Sequence, residues 1–448
     1  MAGMVVKNNM SAINTLNTLN KNHGALSKSL AKVSSGMKIN SAADDASGYA
    51  ISERMRVQIR SLDQDNKNTQ NGSALMKVAE GAVQSTVDIL KTLKEKVINA
   101  ANDTNTDSDR SQIQKELNQS IDQINDNANV TYNGKYLVDG THNAKGTVTK
   151  THLTNQSLAT TTTATTKLTQ LANRVGDSLH INAEDNVTVS FVNEGKTYTT
   201  TMRVNANTIG DILTNATNYA HQAAGGSAAS TVGVTVATNG YSATIGTDKF
   251  GKELTTADKT NAVTVQALSS GVSNQIAGLT ISITDKNGNI NKSANAALDA
   301  FNETIRAEQA SDDNSIVLQT GTKANQAIKI GLTDMRAQAL GLQGANGDTL
   351  NIETQKNANA AINVLDNAIQ KALDQQTTIG AIESRLEYTS TNLTTASENV
   401  QASESTIRDA DMAKEMTEYT KNNVLLQAAQ SMLAQANQNS SSVLSLLQ

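Results

Sequence analysis

Val33-Ser34-Ser35-Gly36-Met37-Lys38-Ile39-Asn40-Ser41-Ala42-Ala43-Asp44-Asp45-Ala46-Ser47-Gly48-Tyr49-Ala50-Ile51-Ser52 is where one helix must stop and another must start. Ser34-Ser35-Gly36 is a helix breaker. Ser41, Asp44 and Asp45 are N-cap residue types placed just ahead of a new apolar period. Upstream, Met10, Ile13, Leu16, Leu19, Leu26, Leu30 and Val33 step by three, four or seven residues, which predicts one helix stripe with His23 on or beside it. Downstream, Ile51, Met55, Ile59 and Leu62 lead into Leu75, Val78, Ala82, Val87, Leu90, Leu93 and Val97, a helix that breaks at Asn102-Asp103. Ile113, Leu117, Ile121 and Ile124 predict a shorter helix.

The far end of the chain has the same character. Helical patterning is expected to return after Gly321, with Ile362, Leu365, Ile369, Leu373, Ile379, Ile382, Leu386 and Leu393 as one stripe. Met412, Tyr419, Leu426, Leu433 and Leu447 fall at multiples of seven, with Met416 and Val443 on a second seam, the spacing of coiled-coil packing. Two such ends predict that the N- and C-terminal helices pair. The middle reads differently. Val130 to Leu137 carries strand residues around Asn133-Gly134, a hairpin signal. Hairpins are also expected at Val187–Met202 around Asn193-Glu194-Gly195-Lys196, at Val232–Ala243 around Asn239-Gly240, and at Leu279–Ile283 before Asp285-Lys286-Asn287-Gly288. Ile209, Ile212, Leu213 and Ala216 suggest a short helix, and the Thr tract 160–163 a solvated segment. The fold class is therefore mainly α, with paired coiled-coil-like terminal helices and a central strand-rich (β or α+β) insert.

Composition narrows the function. Aromatics make up 2% of 448 residues, and Trp, Cys and Pro are absent, so Ala, Leu, Ile, Val and Met must pack thin helical layers. Without Cys there are no disulfides, thiolate nucleophiles or zinc–thiolate sites. Without Pro there are no slow X-Pro isomerisations, which suits a chain moved unfolded and then refolded. The net charge of -5 with mixed signs offers no basic face for nucleic acid. No apolar run reaches membrane-span length, so no membrane partner is expected, and the N-terminal residues lack the apolar core of a secretory signal. His23, His142, His152, His180 and His221 are scattered, and no nucleophile-elbow, phosphate-loop or dinucleotide motif occurs. Asp44-Asp45 and Ser311-Asp312-Asp313 read as caps and turns. No catalysis, cofactor or metal is expected.

Residues 33–52 resemble the N-terminal signature of bacterial flagellins, as does Ala79-Glu80-Gly81-Ala82. Ser405-Thr406-Ile407-Arg408-Asp409-Ala410-Asp411-Met412-Ala413-Lys414-Glu415-Met416 and Gln427-Ala428-Ala429-Gln430-Ser431-Met432-Leu433-Ala434-Gln435-Ala436-Asn437-Gln438 resemble the C-terminal one. The likeness covers roughly the first 140 and last 130 residues. It departs at Lys32-Val33, where many relatives have Arg-Leu, at Asn439-Ser440, where many have Pro, and at Met1 to Gly3, which precede the usual start.

The resemblance implies a secreted, extracellular filament subunit for motility, exported unfolded by the flagellar type III route and polymerised at the tip. It implies an elongated rod built as follows: 1–45, inner-tube helix and connector; 46–142, N-terminal rod helices with a hairpin; 143–310, variable outer insert; 311–400, C-terminal rod helices; 401–448, C-terminal inner-tube helix. Ile13, Leu16, Leu30, Met412, Met416, Tyr419, Leu426, Leu433 and Leu447 would form the assembly interface, and Ser34, Ser35, Gly36, Asn40, Asp44 and Asp45 the connector. The implied partners are other copies of the chain in a helical homopolymer, the flagellar cap, junction proteins, an export chaperone and the vertebrate innate flagellin receptor. In members that this receptor detects, the helix matching residues 90–97 resembles Leu-Gln-Arg-Val-Arg-Glu-Leu-Ala; Thr92, Lys94 and Lys96 replace Arg, Arg and Leu while Glu95 is kept, so Lys94 and Glu95 are the implied contact positions, with the planar bidentate donor lost at Lys94. Alternative readings are a hook–filament junction protein, which shares the terminal signatures, and a flagellin whose insert acts as a glycan-binding or adhesive module.

Overall fold

The structure, a computed structural model, describes residues 9–223, 233–237, 242–257 and 259–446. Helices α1 (Met10–Ser35), α2 (Ala46–Ala100) and α3 (Asp107–Ala128) come first. Strands β1 (Thr131–Tyr132), β2 (Lys135–Tyr136), β3 (His152–Asn155), β4 (Asn186–Asn193) and β5 (Lys196–Arg203) precede α4 (Ile209–Ala223). Then come β6 (Val234–Val236), β7 (Thr244–Thr247), β8 (Glu253–Thr255), β9 (Val263–Ala267) and β10 (Ile276–Thr284), followed by α5 (Lys292–Leu298). Strands β11 (Phe301–Ile305), β12 (Ile316–Gln319) and β13 (Ala327–Ile330) lead to α6 (Gln355–Arg408) and α7 (Met412–Leu446). The chain forms two compact units, one of residues 1–69, 319–326 and 388–448, the other of residues 70–318 and 327–387.

Helix boundaries follow local chemistry. Gly36 closes α1 in the left-handed region (φ 71°) with its N–H on the Lys32 carbonyl, a conformation that favours glycine. The α3 start is a capping box: Thr106 Oγ1 accepts from the Asp109 N–H, and Asp109 Oδ2 accepts from the Thr106 N–H at 2.9 Å. Asn133 (φ 50°) and Gly134 (φ 76°) make the β1–β2 turn, and Glu194 (φ 51°) and Gly195 (φ 77°) make the β4–β5 turn, as the Asn-Gly and Glu-Gly signals predict.

The larger unit has two cores. One joins α2, α3 and α6 through Met76, Val83, Leu90, Val97, Leu117, Ile121, Ile124, Leu365, Ile379 and Leu386, together with Leu332, Leu342 and Ile352 from the extended segments before α6. The other fills the insert between the sheets and α4, around Phe191, Val189, Ile281, Ile212 and Val265. Its sheets run β10-β4-β5 and β11-β3-β9-β6, with β7-β8 and β12-β13 as separate ribbons. β10 crosses α6 closely: a Cβ on Gly278 would lie 2.8 Å from Val364 Cγ2. Asn363 and Asn367 on α6 donate to the Leu279 and Ala277 carbonyls at 3.2 and 2.8 Å.

Several expectations need correction. The second helical region starts at Gln355, not after Gly321; strands and turns occupy the interval. The end of β10 does fold back across the Asp285–Gly288 turn through a single Thr284–Ile290 bridge, but the main partner of β10 is β4, and the turn leads into α5. β6 pairs with β9 while β7 pairs with β8; Val232, Asn239, Gly240 and Tyr241 lie outside the described residues. The Thr tract is not wholly solvated. Thr162 is 5% exposed, because the tract turns back under the start of α4, where the Gly210 N–H meets the Ala164 carbonyl at 3.0 Å.

Candidate assembly surface

The smaller unit contains α1, the first part of α2, the last part of α6, and α7. α1 and α7 pack antiparallel. Asn9 Nδ2 donates to the Ala436 carbonyl at 3.2 Å, Asn22 Nδ2 to the Leu425 carbonyl at 3.2 Å, and Asn422 Nδ2 to Ser29 Oγ at 3.0 Å. Lys32 and Glu415 close the series at 3.7 Å. The side chains that lose exposure on α1 are Ala12, Thr15, Leu19, Asn22, Leu26, Ser29 and Val33. On α7 they are Glu415, Glu418, Tyr419, Asn422, Asn423, Leu426, Ala429, Leu433 and Ala436. Both sets follow a heptad alternation. The small residues Ala12, Ser29, Ala429 and Ala436 bring the backbones close, which is why amides can reach carbonyls across the seam.

Tyr419, Leu426 and Leu433 take part in this seam within the chain. Ile13, Leu16 and Leu30 do not face them. They are 46%, 45% and 51% exposed, because the α1 stripe is really two stripes and the seam uses Leu19, Leu26 and Val33. Met412 and Met416 are also exposed, as are Met10, Val424, Leu425 and Met432. Leu447 lies outside the described residues, and so does the Val443 side chain. Large apolar side chains thus stand open on both helices, after pairing, over a unit with little core of its own.

The segment joining α1 to α2 is held by polar contacts. Ser34 is the penultimate residue of α1 and is exposed. Ser35 Oγ donates to the Lys32 carbonyl at 3.3 Å and accepts from the Met37 N–H at 3.2 Å. Asn40 Nδ2 donates to the Ala31 carbonyl at 3.1 Å. Asp44 Oδ2 accepts from the N–H groups of Asn40 and Ser41 at 3.2 and 3.1 Å, which hold its carboxyl below the ordinary value. Asp45 caps α2, taking the N–H groups of Ser47 and Gly48, each at 3.0 Å. This segment is laced to the α6–α7 junction: the Lys38 N–H meets the Arg408 carbonyl at 2.7 Å, and the Ala410 N–H meets the Gly36 carbonyl at 2.9 Å.

Arg408, 6% exposed, was not among the expected connector residues, yet it ties Met37 to the first turns of α2. Its Nη1 donates to Glu53 Oε1 at 2.6 Å, its Nε lies 3.1 Å from Met37 Sδ, and its guanidinium stands 5.4 Å from the Tyr49 ring centre. That hydrogen bond lowers the Glu53 carboxyl below its ordinary value. The available signal was its place in the C-terminal motif beside Asp409. In the larger unit, Lys94 is engaged by Asp366, whereas Glu95 is exposed. Among the described residues no group of three or more His, Asp or Glu is set to hold a metal, and no helix is long and apolar enough to cross a membrane.

Paired terminal helices that leave large apolar side chains exposed after pairing, with a folded domain carried between them in sequence, fit the class of self-assembling structural proteins. The family comparison specifies which. Residues 6–143 match the bacterial flagellin N-terminal helical region and residues 362–447 the bacterial flagellin C-terminal helical region. A flagellin of Clostridium tyrobutyricum is 34% identical over 97% of this chain and 99% of its own length. One of Bacillus subtilis is 30% identical over 99% and 100%. The flagellar filament 33 kDa core protein of Treponema phagedenis is 27% identical over 99% and 100%. The chain belongs to the bacterial flagellin family and is a structural subunit of the flagellar filament. Among solved structures, FliC from Burkholderia pseudomallei is 18% identical and covers 70% of this chain and 99% of its own, with a TM-score of 0.25.

Proposed function

We propose that the chain polymerises through the apolar residues that α1 and α7 leave open once they have paired: Ile13, Leu16 and Leu30 on one helix, Met412 and Met416 on the other. Their exposure in an already paired unit is the observation that supports this reading. Burying each against a neighbouring copy contributes roughly 1.5–3 kcal/mol, repeated at every subunit. In this reading residues 1–45 and 401–448 form the inner layer. Residues 46–142 and 311–400 form the rod, and 143–310 project outward. Ser34, Ser35, Gly36, Asn40, Asp44 and Asp45, with Arg408, fix the joint between layers. The subunit leaves the cell unfolded by flagellar export and ends in the extracellular filament. It meets the cap, the junction proteins and an export chaperone on the way, and presents Lys94 and Glu95 to the innate receptor.

Two substitutions separate assembly from pairing. Leu16→Asp should leave the monomer's helix content and melting unchanged, within about 0.5 kcal/mol as for other surface changes, yet abolish filaments seen by sedimentation and electron microscopy. Leu426→Asp should both lower helix content and abolish filaments, because it places a carboxylate in the seam. Normal filaments from Leu16→Asp would overturn the assignment.

A further inference from the structure

We propose that the cleft bounded by the 248–254 turn, β11 and the middle of α6 binds a neutral saccharide. The cleft lies wholly within the larger unit and encloses about 1000 Å3, the upper end of the range for small-molecule sites. Its wall includes Gln375, 4% exposed. Gln375 Oε1 accepts from Thr333 Oγ1 at 2.6 Å and from the Thr333 N–H at 3.3 Å. A backbone N–H can only donate, so the orientation of this amide is set and its other end is the NH2 group. That Nε2 is buried with no hydrogen-bond partner. An orphaned buried donor is costly; Nε2 is closed to solvent in this conformation, and a rotation of the Gln375 amide toward the cleft would let a ligand oxygen satisfy it.

The charges along the wall argue for a neutral ligand. Arg306 is engaged by Asp374, Lys249 Nζ is 2.8 Å from Glu308 Oε2, and the buried Glu303 sits 3.3 Å from Lys371 Nζ. An anion would have to break one of these pairs. Carboxylates also outnumber Lys249 and Arg306 along the wall, which disfavours an anion. Hydroxyl groups avoid both problems: each can accept from the Gln375 amide and donate to a spare carboxylate lone pair without displacing a cation. Phe250, also in the wall and 65% exposed, supplies an apolar ring face for the C–H side of a sugar.

The full-length monomer would be titrated with lactose, cellobiose and chitobiose by saturation-transfer NMR and calorimetry. At least one should bind with a dissociation constant near about 1 mM. Phe250→Ala and Gln375→Met should each weaken that binding about tenfold, with melting of Phe250→Ala unchanged. Because Phe250 is exposed, its variant decides the matter alone if Gln375→Met fails to fold. Silence from all three sugars up to about 10 mM would overturn the proposal. So would binding that Phe250→Ala leaves intact, or binding of spermidine that the sugars do not displace. None of these outcomes touches the polymerisation proposal, whose residues lie on α1 and α7.

Discussion

Single carboxylates in this chain act in opposite senses on stability. Asp299 follows α5 and faces α6, where Asn363 Nδ2 donates to its Oδ1 at 3.1 Å. Burial raises its carboxyl from 3.8 to about 6. The folded state therefore holds this proton more tightly than the unfolded chain does. The stability associated with the protonated form is complete below the unfolded value near 3.8 and is lost as pH rises through about 6. Asp299→Asn keeps an acceptor for Asn363 and removes the charge. It should stabilise the monomer at pH 7 by about 1–3 kcal/mol, with the gain vanishing toward pH 4, as thermal melts across that range would report. A gain independent of pH would sink the argument. Asp44 and Glu53 are depressed instead, by N–H donors and by Arg408. Their contribution is present at neutral pH and lost on acidification through the lowered values, so the connector loosens at the acid end, where Asp299 no longer costs anything.

Among the elements, β10 and α6 approach each other closely at Gly278. Gly278→Ala would put a methyl group 2.8 Å from Val364 Cγ2 and 3.0 Å from the Val364 backbone N. It should destabilise by about 1–3 kcal/mol. Gly81→Ala, on α2 with open space around it, should stabilise by about 0.5–1 kcal/mol. Opposite shifts in denaturant midpoint would confirm that the difference lies in packing and not in glycine itself; equal shifts would refute it. The same contrast explains what could be read from the sequence. Caps, breaks and turns at Gly36, Asp45, Asn102 and Gly195 depend on a few adjacent residues, and the sequence patterns located them. The β10–β4 and β3–β9 pairings join distant segments, and no local alternation says which strand neighbours which. Ile13 and Leu19 lie on the same apolar-looking helix, so periodicity alone could not tell the stripe facing α7 from the one facing outward. Arg408 was visible as part of a motif, but its hub role depends on Glu53, Met37 and Tyr49 arriving from far along the chain.

At the scale of the whole molecule, the insert and the helical core of the larger unit share side chains. Val192 and Ala277 belong to the cluster that contains Val364 and Leu365. Deleting residues 145–305 should leave filament formation in place, since α1 and α7 are untouched, but it uncovers the α6 face that β10 occupies. Melting of the remaining chain should fall by roughly 2–4 °C for each kcal/mol of packing lost. An unchanged melting temperature would mean that the two cores are energetically separate, and loss of filaments would mean that the insert makes essential contacts.

The Asn9–Ala436 hydrogen bond joins residues 427 positions apart, and that separation sets a clock. A ribosome adding about 5–20 residues per second finishes α1 roughly 20–85 s before α7 exists to receive it. A helix of 26 residues rich in Ser, Thr and Asn draws most of its stability from packing against a partner. Throughout translation the first-made helix is therefore an unsheltered segment, open to whatever holds or degrades nascent chains, and its structure becomes durable only when the last-made residues appear.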